Sequence, residues 1–69
     1  MNMADWSAKG EALGRTHRAA GVSRPSLVVA QNSVYEALLA PLKWLVGWRL
    51  VKAEHEAAEG YVKAWEGVQ

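Results

Sequence analysis

An all-α fold is predicted: a short, weak N-terminal helix, an apolar connector and a long, kinked C-terminal helix. Three observations carry this. Apolar residues recur at helical spacing across the second half of the chain. Pro is confined to positions 25 and 41. Ser33-Val34-Tyr35-Glu36 supplies a helix-start signal ahead of that apolar run. Sixty-nine residues make one small unit, and such units are marginal because little of their surface can be buried. The chain has no Cys, which removes a disulfide framework or a thiolate metal cluster as support. Phe and Ile are absent, so the large apolar volume comes from Leu, Val and four Trp. The same bias, rich in Ala, Gly and Arg, suggests a GC-rich genome.

The first helix is expected over residues 5–20, with Asp5 as its cap and Gly21 as its stop. Gly10 and Gly14 lie inside it, each costing about 1 kcal/mol relative to Ala in an exposed helix. Trp6, Gly10 and Gly14 share a face. They read either as a groove of small residues for a close helix neighbour, or as an under-stabilised helix that orders only on binding. The polar surroundings favour the second.

Residues 21–33 read as a connector, because Arg24 precedes Pro25 and is biased away from helical geometry. Its Leu27-Val28-Val29 run is expected as an extended arm pinned against the long helix. Ser33-Val34-Tyr35-Glu36 fits a capping box, so the long helix is expected over residues 34–66. Breaks are expected near Pro41, which removes a donor and crowds the Ala37 carbonyl, or near Gly60. A continuous helix would be about 50 Å long at 1.5 Å per residue.

Val34, Ala37, Pro41, Trp44, Trp48, Val51, His55, Ala58, Val62 and Trp65 follow the three- and four-residue steps of a heptad seam. Val46, Leu50, Ala53, Ala57, Tyr61, Ala64 and Val68 form a second row on the far side. Only a wedge containing Arg49, Lys52, Glu56, Glu59 and Lys63 is polar, with Glu59 and Lys63 placed to pair. A helix apolar over most of its circumference is normally buried. The first segment offers too little to cover it, so a partner surface is expected. The residues assigned to that surface are Leu38, Leu42, Trp44, Leu45, Trp48, Val51, Val62 and Trp65.

Charge narrows the partner. The net charge is +1 but the ends differ: Lys43, Arg49 and Lys52 stand alone between Ala40 and Lys52, whereas Glu54, Glu56, Glu59 and Glu66 outnumber Lys63 beyond it. This dipolar pattern does not fit a nucleic-acid binder, and Arg15, His17, Arg18 and Arg24 read as a solvated face. A membrane span over Val34–Val51 is opposed by Glu36, Lys43, Arg49 and Pro41. The start of the chain lacks the apolar core of a secretory leader. The remaining settings are the cytoplasm, a virion or a membrane surface.

No catalytic, cofactor or metal site is expected. His17 and His55 are too few and too far apart for a metal site, and no nucleophile elbow, phosphate loop or dinucleotide fingerprint occurs. The leading expectation is therefore a non-enzymatic structural or assembly subunit, self-associating or docked on another protein in a larger complex. A phage virion or a bacterial multi-subunit complex fits the size and composition. The alternatives are a peripheral membrane protein anchored by Tyr35–Lys52 and a small inhibitor that fills a partner's groove.

Overall fold

A computed structural model describes residues 5–66, and within them the chain is all-helical. Helix α1 spans Trp6–Ala19, α2 spans Leu27–Val34 and α3 spans Gly47–Glu66. A π-helical turn, Tyr35–Leu39, extends α2.

Asp5 caps α1 as expected, its carboxylate accepting from the Ala8 N–H at 3.0 Å. The helix ends at Gly21, whose φ of 96° favours a residue without Cβ. Gly21 N–H donates to the Arg18 carbonyl and Val22 N–H to the His17 carbonyl, both at 3.0 Å. That pair of bonds is a Schellman closure.

The connector is not extended. Ser26, directly after Pro25, caps α2 by accepting from Val29 N–H, so the Leu27–Val29 run forms a first helical turn. Ser33 consequently lies inside α2 and caps nothing, which corrects the capping box read at residues 33–36. The sequence did hold the right signal, a Ser one residue beyond a Pro.

The expected break at Pro41 is present and sharper than a kink. Ala40 N–H reaches back five residues to the Tyr35 carbonyl at 2.8 Å, and the helix then stops. Proline has no N–H to continue the ladder. The chain turns through residues 40–46 and re-enters a helix at Gly47, with φ 66°. Gly60 does not interrupt α3, which runs unbroken to Glu66. The heptad seam from Val34 to Trp65 is therefore divided between two elements and a turn. Val68, assigned to the second row, lies outside the described residues.

The helices form an up-down-up unit. Helix α1 runs parallel to α3, with His17 on Tyr61 and the Val22 carbonyl at the Trp65 indole. Helix α2 returns along α3, placing Ala30 and Val34 against Ala57, Ala58 and Tyr61. A second cluster joins Leu39 and Leu45 to Ala53. Trp6 and Leu38 pack against both clusters.

Close approach of α1 and α3 depends on glycine. A Cβ on Gly10 would collide with the Ala57 carbonyl oxygen and stand 2.9 Å from the Ala57 Cα. On Gly14 it would meet the Tyr61 carbonyl and, at 2.9 Å, the Ala64 Cβ. On Gly60 it would overlap the Ser7 carbonyl, 3.1 Å from the Ser7 Cα. The groove reading of Gly10 and Gly14 is thus the one the fold uses, and its occupant is the chain's own α3. The disfavoured option won because Ala53, Ala57 and Ala64 offer a complementary small-residue face some 40 residues later in the chain.

Gly10→Ala is expected to destabilise the fold despite improving helix propensity by about 1 kcal/mol. The obstructing atoms are backbone and cannot rotate away, so overpacking prevails, with a net loss of about 1–2 kcal/mol. Urea unfolding followed by circular dichroism measures it. An unchanged or higher midpoint would show that α1 and α3 do not approach this closely.

Candidate docking surface

The eight residues assigned to a partner surface separate into two sets. Leu45 is buried, and Leu38 and Leu42 pack partly buried around the Leu39–Leu45–Ala53 cluster. Val62 and Trp65 lie against the Ala57–Tyr61 cluster. Trp65 also donates its indole N–H to the Val22 carbonyl at 3.0 Å, and its ring meets Tyr61 at a centroid distance of 5.2 Å. These five residues hold the fold together.

Trp44, Trp48 and Val51 behave differently, with 67, 70 and 65% of their surface exposed. Val46, read from the sequence as part of the opposite row, joins them at 63%. The division follows from helical geometry and from the break at Pro41. At about 100° per residue, Trp48 lies roughly 180° around α3 from Ala57, the residue that seats Gly10. Trp44 and Val46 belong to the turn that precedes α3.

Beside this apolar knob runs a groove of about 570 Å³. Trp6, Trp44 and Trp48 line it, so three of the four Trp share one end of the molecule. Leu45 and Ala53 form its base. Arg49 and Lys52 edge it, with the Arg49 guanidinium 5.6 Å from the Trp48 ring centroid. Lys9 lies 6.0 Å from the Trp6 ring. Glu56 is the acidic member of the lining. Cations over indole faces are held by the ring quadrupole and cover part of the apolar surface.

The second apolar row does not form an open surface. Ala53, Ala57, Tyr61 and Ala64 are buried. The Tyr61 hydroxyl hydrogen-bonds His17 Nδ1, and the two rings meet edge to face at 5.4 Å. A smaller apolar patch occurs on α2, where Leu27, Val28 and Val29 are exposed and Ala30 faces inward in their place.

The polar side chains make few organised contacts. Glu59 engages His55 Nε2 at 3.1 Å in place of the expected pairing with Lys63. Arg24 meets Glu66 at 2.8 Å and closes the connector onto the end of α3. Both pairs are solvent-exposed and contribute little. Among the described residues no three of His, Asp or Glu come together as a metal site, and no helix is long and apolar enough to cross a membrane.

Comparisons with protein-family models, with curated proteins and with solved structures find no match. Function must be argued from the surface itself.

The two kinds of Trp are separable by stability. Trp65→Ala removes a packed ring and a hydrogen bond to the connector and is expected to cost about 2–3 kcal/mol. Trp48→Ala should stay within about 0.5 kcal/mol of the parent chain. Thermal or urea unfolding of both variants checks this, and equal losses would contradict the division between core and surface.

Proposed function

We propose that this chain is a non-enzymatic structural or assembly subunit that attaches to a larger body through Trp44, Val46, Trp48 and Val51. One observation carries the reading: Trp44, Val46, Trp48 and Val51 are each 63–70% exposed within one short stretch of chain, a larger apolar display than the Leu27–Val29 patch on α2. Scattered apolar residues on a surface need no explanation, but a contiguous group containing two Trp does. Trp is a preferred anchor at interfaces because its large rigid body loses little conformational entropy on contact. The small size and GC-rich composition suit a virion component or an accessory subunit of a bacterial complex.

Support also comes from what surrounds the surface. Neither Trp44 nor Trp48 takes part in the two core clusters, so folding alone does not account for their presence. The rest of the chain builds a platform: Leu39, Leu45 and Ala53 pack beneath the turn that bears Trp44 and Val46.

The double variant W44S/W48S tests the reading. Its helicity and unfolding midpoint should match the parent within about 0.5 kcal/mol per site. Its retention on a phenyl matrix under native conditions should fall sharply. A variant that unfolds would mean that the two Trp serve the fold, and unchanged retention would mean that this surface is not the sticky one. Either result removes the docking proposal.

A further inference from the structure

The exposed Trp surface carries a charge pattern that bears on what it docks against. From Ala37 to Ala53 the only charged residues are Lys43, Arg49 and Lys52, a run of 17 residues without an acid. All three cations are exposed, and they alternate with Trp44, Val46, Trp48 and Val51. Lys9, over the Trp6 ring, adds a fourth cation at the same end. The acids nearest this run are Glu36 and Glu54, which bound it, Glu56, one turn beyond Lys52, and Asp5, engaged in capping α1. Glu59 and Glu66 follow further along α3.

We infer that this face is an interfacial anchor for an anionic lipid surface, an inference that rests on the docking role proposed above. The surface suits lipid in three respects. The apolar residues project from a turn and the first turns of a helix, so that they can enter the headgroup boundary without opening the fold. Indole is the side chain best suited to that depth, with its ring in the acyl boundary and its N–H among polar headgroups. The indole N–H groups of Trp44 and Trp48 make no hydrogen bond among the described residues, whereas that of Trp65 does. Lys and Arg beside them can extend their charges to lipid phosphates while their stems remain against apolar surface.

Charge opposes the simplest alternative, a second copy of the chain. A two-fold contact centred on Trp48 would bring Arg49 and Lys52 close to the same residues of its mate, with Glu56 the one acid of the groove lining to set against them. An anionic surface supplied from outside would offset all of these cations. Neither end of this surface asks for a span: insertion would be shallow, with α1 and α2 remaining in water.

The experiment titrates the full chain with vesicles of about three parts phosphatidylcholine to one of phosphatidylserine, and separately with pure phosphatidylcholine. Binding is read by sedimentation and by the Trp emission maximum. The expected result is a blue shift and co-sedimentation with anionic vesicles, weaker on the neutral ones and reduced by high salt. Each of K43Q, R49Q and K52Q should weaken anionic-vesicle binding about fivefold. W44S/W48S should weaken it at least about tenfold while the chain stays folded.

A folded chain that ignores anionic vesicles overturns the lipid inference. If W44S/W48S still lowers retention on the phenyl matrix, the docking role survives that result and the partner is a protein. Equal affinity for both kinds of vesicle overturns the part assigned to the cations. A Trp-dependent oligomer in light scattering without vesicle binding overturns it in favour of a second copy. Full vesicle binding by W44S/W48S, with phenyl retention unchanged, overturns the lipid face and the docking reading together.

Discussion

The fold rests on the contact in which α1 and α3 approach at backbone distance. Gly10 lies on the Ala57 carbonyl, Gly14 on that of Tyr61, and Gly60 on the carbonyl of Ser7. Side chains contribute little volume at this seam, so stabilisation comes from many weak dispersion contacts between main chains brought close together. That solution suits a chain half of whose residues are hydrophobic yet which lacks Phe and Ile. Small residues on both helices allow close approach, and close approach makes a small core dense. It also leaves no tolerance for a methyl group, because the opposing atoms belong to the backbone. Tyr61 then fits beside the seam, its ring buried and its hydroxyl satisfied by His17, so a polar group enters the core without an unpaired atom.

The second constraint is Pro41. Without it, α2 would be free to continue toward α3 as one rod, and its apolar face would lose its cover on α3. By ending the helix after a π-helical turn, the chain can reverse through residues 40–46 and fold α2 back along α3. The reversal also produces the exposed turn. Leu42 N–H bonds the Leu39 carbonyl and Leu45 N–H that of Leu42, tight links that point Leu45 inward and leave Trp44 and Val46 outside. The element that lets the core close therefore also presents the Trp surface.

Much of this was legible in the sequence. Helical class, the Asp5 cap, the stop at Gly21 and the break at Pro41 all follow from local chemistry, which acts over a few residues. What local chemistry could not decide was which apolar row faces which neighbour. The row from Val34 to Trp65 has a convincing heptad rhythm, but rhythm assumes a continuous helix, and Pro41 rotates its two halves out of register. That the row of Ala53, Ala57, Tyr61 and Ala64 finds its cover within the chain was hidden for a related reason. The first segment holds few large apolar side chains. Glycine covers an alanine face through its backbone, a contribution that a tally of side chains does not register. Ser33 was the more familiar capping pattern, yet Ser26 follows Pro25, which already holds the chain outside helical geometry where a cap is needed.

The Trp surface is best understood against this economy of volume. A chain that builds its core from Ala and Gly places two of its four largest side chains where they contribute nothing to that core. Folding alone would favour turning them inward, since burying an aromatic ring removes more apolar area from water than burying several alanines. Their outward position is fixed by the turn at 40–46 and by the start of α3, on the opposite side from the glycine seam. The glycine seam thus lies on the far side of α3 from Trp48. Any body that binds the folded chain there, and not the unfolded one, would also stabilise it by mass action. For so small a unit, an attachment of that kind would reinforce folding.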